Sequence, residues 1–199
     1  GHAILASPNS RGSASGQPSG AISELSEDGR TVVFSSEAAG LTLAISDEPR
    51  IYLYKRVLAR IDYLNLPVDK SQRAIVQVDT SASADIIAAL VQLDGAGFEI
   101  IVYDTINNKQ QIIDTIEASS EPLDVELSAN GKMLSVMLAA TEIRRYDIST
   151  LESQTISLGD SSAETTISSD GKVIGYTQEL DGVTQVFILD SENPAALGH

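Results

Sequence analysis

Cysteine is absent from this sequence, and its only histidines stand at positions 2 and 199. The first absence excludes disulfide frameworks, thiolate metal sites and cysteine nucleophiles. The second removes imidazole from the interior of the chain and closes the Ser-His-Asp route of nucleophilic catalysis. Basic charge is scarce as well: 13 Lys and Arg face 28 Asp and Glu, a formal net charge of −15. A surface of that sign repels phosphate backbones and anionic lipid, so nucleic acid is not expected as a partner. No apolar run approaches the roughly eighteen residues of a membrane span, and no membrane insertion is expected. The P-loop, the dinucleotide-binding glycine fingerprint and the EF-hand loop are all missing. "GSASG" at 12–16 comes nearest to a nucleophile elbow, but it sets its serines at the wrong offset for Gly-x-Ser-x-Gly. Paired carboxylates arise by chance among acids this numerous, and no spacing marks out a glycosidase pair. No catalytic residue, no metal ligand set and no cofactor is expected.

What the sequence does have is repetition. "LSEDGRTVVFSS" at 25–36 sets a polar turn before a short apolar strand, and "LSANGKMLSVML" at 127–138 and "ISSDGKVIGYTQ" at 167–178 repeat the arrangement. Gly29, Gly131 and Gly171 hold the same turn position in the three copies. The step from Gly29 to Gly131 is more than twice the step from Gly131 to Gly171, so a degenerate copy is expected between them. "VDTSASADIIAALVQ" at 78–92 fills that place, with Ser81-Ala82-Ser83-Ala84 as the turn and "DIIAALV" as the strand. By composition alone that last segment would also pass for a short helix.

A second motif keeps the same register. "RIYLYKR" at 50–56, "EIIVYDTINN" at 99–108, "EIRRYDISTLE" at 142–152 and "QVFILDSENP" at 185–194 each run an apolar strand into a polar turn. Asp104, Asp147 and Asp190 recur there, with Lys55 in the first unit; an Asp carboxylate in such a turn accepts hydrogen bonds from N–H groups two residues on. Leu93-Asp94-Gly95 and Leu180-Asp181-Gly182 read as hairpins between second and third strands. A fourth strand follows in three units, as "RIDYLNLP", "KQQIIDTI" and "SQTISLG". Four short antiparallel strands per unit, repeated at about 40–50 residues, define an all-β fold, the β-propeller. The units span approximately 20–67, 72–116, 122–159 and 162–197, and the whole of 1–199 reads as one propeller domain. The last unit lacks an outer strand, while Ile4 and Leu5, within residues 3–6, form a spare one. Either that N-terminal strand closes a four-bladed ring, or the four repeats are a fragment of a larger propeller.

This phasing resembles the TolB-like propeller repeats of exported bacterial proteins and of prolyl-oligopeptidase-like peptidases. Residues 7–67 carry the resemblance best, through Ser26, Asp28, Gly29, Arg30, Phe34, Ser35 and Ser36. It continues at Ser128, Asn130 and Gly131, and again at Ser168, Asp170 and Gly171. Relatives often carry an Asp- and Asn-rich loop between second and third strands; here that loop, "EAAGLTLAISDEPR", holds only Asp47 and Glu48. The resemblance implies an exported protein, periplasmic or extracellular, although nothing in the composition is at odds with the cytoplasm.

The candidate ligand-binding residues lie on the inner strands. Glu24, Glu126 and Thr166 stand two residues before Ser26, Ser128 and Ser168, and the period of two sets them on the face opposite Leu25, Leu127 and Ile167. Inner strands border the central channel, where two carboxylates can hold a cation or meet a basic peptide. The Asp of the turns are read as turn formers, and Tyr52, Tyr54, Tyr103, Tyr146 and Tyr176 as packing residues. The expected function is a non-catalytic binding module that recognises a protein or peptide through its end loops and acidic channel mouth. Two alternatives stand beside it: a gating propeller of a serine peptidase whose catalytic domain is not in this chain, and a calcium-stabilised structural or adhesive module. None of these features encodes the oligomeric state.

Overall fold

The computed structural model describes residues 19–36, 41, 50–64, 74–95, 97–120, 122–158 and 162–190. These form four antiparallel sheets, each a meander of consecutive strands. Blade 1 comprises β1 (Ser19–Leu25), β2 (Thr31–Ser36), β3 (Arg50–Lys55) and β4 (Arg60–Leu64). Blade 2 comprises β5 (Ala74–Thr80), β6 (Ile86–Leu93), β7 (Gly97–Asp104) and β8 (Lys109–Ile116). In blade 3 follow β9 (Pro122–Leu127), β10 (Met133–Leu138), β11 (Glu142–Asp147) and β12 (Ser153–Ser157). Blade 4 has three described strands, β13 (Ser162–Ile167), β14 (Val173–Leu180) and β15 (Val183–Asp190). The ambiguous segment "DIIAALV" is strand, and helix among the described residues is confined to one 3₁₀ turn at Ala118–Ser120.

The repeated turn owes its shape to its serine. Ser26 Oγ donates to Asp28 at 2.7 Å while accepting the Thr31 N–H at 2.9 Å, so one buried hydroxyl closes both sides of the bend. Ser128 does the same with Asn130 and Met133, and Ser168 with Asp170 and Val173. In the degenerate copy Ser81 Oγ accepts the Ile86 N–H, and Ala84 takes the glycine position at a φ of 58°. The later Asp turn forms as its chemistry requires: Asp104 accepts the N–H groups of Ile106 and Asn107, and Asp147 those of Ser149 and Thr150.

Pleating gives each blade a face turned back to the preceding blade and a forward face turned to the next. The forward residues Val33, Ile51 and Leu53 of blade 1 pack on Val78, Ile87 and Ile101 of blade 2. Leu90, Ile100 and Val102 of blade 2 pack on Leu127, Leu134 and Val136 of blade 3. Met137 and Ile143 of blade 3 meet Ile174 of blade 4. Tyr103 and Tyr146 are buried in these layers, Tyr52 and Tyr54 are buried with Phe34 and Leu41 on the backward face of blade 1, and Tyr176 stacks on Phe187 with ring centroids 5.4 Å apart. Inner strands pack in series, β1 on β5, β5 on β9 and β9 on β13; among the described residues β13 makes no comparable contact with β1. The expected closing strand at residues 3–6 lies outside the described residues.

The inner turns also join neighbouring blades. The Ala82 N–H donates to the Ala129 carbonyl at 2.9 Å, and the Asn130 N–H to that of Ser169 at 3.0 Å. Gly131 sits over the Ile86 side chain and Gly171 over Met133, so closely that a Cβ on either would overlap it, whereas Gly29 has open space around it. Gly29→Ala is therefore expected to cost only the left-handed backbone term, about 1 kcal/mol. Gly171→Ala adds displacement of Met133 and should cost roughly twice as much in urea melts. Equal losses at the two positions would contradict this account of the turn packing.

Candidate functional site

Two residues before the inner-strand serines stand Glu24, Asp79, Glu126 and Thr166. Each pairs with a second-strand residue at one offset from its serine: Val33, Ala88, Ser135 and Gly175. The register sets all four on forward faces, at the inner rim where one inner strand approaches the next. An inner strand presents unpaired N–H groups along its channel-facing edge, and these need acceptors.

Asp79 supplies one such acceptor by reaching across to the Leu127 N–H of blade 3, while also accepting from its own neighbour Thr80. Asp124, two residues before Glu126, supplies another. Its Oδ2 accepts both the N–H and the hydroxyl of Thr165 in blade 4, each at 2.9 Å. Its Oδ1 accepts the Gln77 amide of blade 2 at 2.9 Å and the Val125 N–H at 3.1 Å. Asp124 thereby ties three blades together.

Glu24 and Glu126 have no such role; among the described residues no hydrogen bond or ion pair reaches either. Burial pushes the Glu126 carboxyl up to about 8, and the charges of Asp79, Asp124 and Glu24 add to the rise. Glu24 is raised by burial and then by Asp79. Asp79 is raised by burial, against the two N–H groups that pull it down. The three acids thus lie within one another's electrostatic reach, an acidic seam along the inner rim that no cationic side chain among the described residues pairs with. Among the described residues no group of three His, Cys, Asp or Glu is arranged to hold a metal ion. The seam suits an ammonium or guanidinium group, which needs charge and proximity more than a closed ligand shell.

Of the residues picked out by sequence, Glu24 and Glu126 are brought into one field. Thr166 continues the row on β13 as an exposed, uncharged side chain beside Gly175. Asp79 and Asp124 were missed. Asp79 was within reach, since it stands two residues before Ser81 in the degenerate repeat. Asp124 carries no motif, and its partners lie 41 and 47 residues away in the chain.

Four radially arranged antiparallel sheets, each carrying the same inner turn, define a β-propeller. The fold is that of the TolB-like propellers. TolB from Acinetobacter baumannii superposes with a TM-score of 0.58 at 17% identity, over 89% of this chain and 42% of that one. A putative TolB from Agrobacterium tumefaciens gives 0.60 at 12% identity, over 87% and 59%. Porphyromonas gingivalis dipeptidyl peptidase 4 gives 0.60 at 14% identity, over 86% and 29%. The chain spans about half or less of the length of most of these structures. No protein-family model and no curated protein sequence matches it.

Proposed function

We propose that this propeller is a non-catalytic binding module, and that the seam of Glu24, Asp79 and Glu126 receives a basic segment of a protein or peptide in an exported setting. One observation carries the reading: carboxylates gathered at the inner rim with raised proton affinity and no cationic partner among the described residues. Such a site stores unfavourable repulsion that a bound Lys or Arg relieves, and it releases protons on binding.

A labelled lysine-rich peptide tests this by fluorescence anisotropy. Affinity is expected to rise as pH increases through about 8, where Glu126 ionises, and to weaken in salt as exposed charge pairs do. Glu24→Gln with Glu126→Gln should lower affinity by roughly tenfold, about 1.4 kcal/mol. Binding that is insensitive to both substitutions and to pH would refute the seam as the site.

The likeness to part of a dipeptidyl peptidase favours a second reading, a propeller that gates access to a peptidase domain. A peptide that bound without reference to Glu24 and Glu126, together with a Gly-x-Ser-x-Gly domain on the same polypeptide, would select it.

A further inference from the structure

Asn130-Gly131 is the only Asn-Gly pair in the sequence, and it stands where the first and last copies of the inner turn carry Asp28-Gly29 and Asp170-Gly171. An asparagine followed by glycine is the dipeptide most open to attack by its own backbone, because glycine brings no Cβ to shield its nitrogen. The Gly131 nitrogen, on losing its proton, bonds to Asn130 Cγ; the Cγ–Nδ2 bond breaks and ammonia leaves. The five-membered imide so formed takes up water and opens to aspartate, or through its other carbonyl to isoaspartate. Water is the only other reactant, and Asn130 is exposed to it.

The folded turn opposes the first step. The Gly131 N–H donates to the Ser128 carbonyl at 2.8 Å, so the nitrogen that would attack keeps its proton in a bond to a buried residue. Asn130 Oδ1 accepts the Ser128 hydroxyl at 2.8 Å and the Lys132 N–H at 2.9 Å, which holds the amide out along the chain. The Asn130 N–H is bonded to Ser169 of blade 4, and Gly131 lies against Ile86 of blade 2. Ring closure needs rotation about the bonds that these contacts fix, so it waits for the turn to open.

The same turn is already built for the aspartyl product. Asp28 Oδ1 accepts the Ser26 hydroxyl at 2.7 Å and the Arg30 N–H at 2.9 Å. Asp170 Oδ1 accepts the Ser168 hydroxyl at 2.7 Å and the Lys172 N–H at 3.1 Å. Arg30, Lys132 and Lys172 hold one position, two residues after the acid or amide. In the first and last copies the serine hydroxyl, then the N–H and then that cation hold the carboxylate below its usual range. The third copy thus has the hydroxyl, the N–H and the cation of an aspartate turn, with an amide in the carboxylate's place. Isoaspartate adds a methylene to the main chain and would put the Gly131–Ser128 bond out of register.

We propose that Asn130 is a self-modification site: it deamidates when the inner turn of blade 3 opens, and the closed turn accepts the aspartyl product as a third Ser-x-Asp-Gly motif. The purified chain is incubated at mildly alkaline pH with and without urea, and peptide mapping follows the exchange of amide for acid at position 130. Reaction in the folded chain is expected to be slower by roughly tenfold or more, the measure of how seldom the turn opens. Asn130→Asp is expected to melt at or above the parent temperature, because a carboxylate accepts the same two hydrogen bonds more strongly than an amide does. Equal rates in the folded and unfolded chain, no reaction at position 130 in urea, or Asn130→Asp melting below the parent would each overturn the proposal.

Discussion

Replacing Asp124 with alanine lowers the melting temperature by about 10 °C, the shift that about 4 kcal/mol produces in a chain of this size. The loss follows from what the carboxylate holds. It accepts the Gln77 amide from blade 2 and both the N–H and the hydroxyl of Thr165 in blade 4. Thr165 is only 7% exposed, so alanine would leave its N–H without an acceptor and without ready access to water. Hydrogen bonds to a charged acceptor contribute about 1.5–3 kcal/mol each, and an orphaned buried donor costs about 1–3 kcal/mol. Asp124→Asn keeps one carbonyl oxygen and should lose about half as much. Because the contact joins blade 4 to the arc, the Thr165 amide is expected to lose hydrogen-exchange protection before the rest of blade 4. A melting curve unchanged in Asp124→Ala would show that these bonds only replace equally good ones to solvent.

Stability falls by something on the order of 3 kcal/mol as pH is raised from about 5 to about 9, and Glu126→Gln removes most of that fall. The Glu126 carboxyl rises from 4.5 to about 8 on folding, chiefly through burial and then through Asp79, Asp124 and Glu24. Between those values the folded chain holds a proton that the unfolded chain has released. The contribution is therefore complete below the unfolded value and is lost as pH climbs through the folded one. Glu24 and Asp79 shift in the same direction and add to the slope. Asp28, Asp104, Asp147 and Asp170 shift the other way, each held down first by a side-chain hydrogen bond, but their effect is confined to more acidic pH. The figure is smaller than the full displacement implies because the group keeps some contact with solvent. Urea melts at several pH values measure the slope, and a Glu126→Gln curve parallel to the parent would place its origin elsewhere.

Both predictions concern carboxylates on one inner strand, and the two differ in how far they were legible. Glu126 was visible because the serine two residues on repeats in blade after blade. Asp124 was not, because nothing in "PLDVEL" distinguishes an acid that bridges two other blades from one that faces water. Its role depends on Gln77 and Thr165 arriving from other sheets. The inner-strand acids divide by their surroundings: Asp79 and Asp124 hold blades together, whereas Glu24 and Glu126 are crowded beside them with no bonding partner among the described residues. The turn acids were simpler. Asp104 and Asp147 bond to N–H groups two and three residues on, so a local motif contained the whole interaction.

By itself the sequence determined what depends on neighbours along the chain. Strand alternation, a serine that closes its own bend, a glycine or an obliging alanine at positive φ, and the count of repeats are all properties of segments a few residues long. Tertiary structure decided whatever depends on one blade meeting another: which acids are bonded and which are only crowded, and which turn glycine is packed and which is open. The physical reason is that burial and electrostatic coupling are set by distance through space, and in a propeller the groups that set them come from separate sheets.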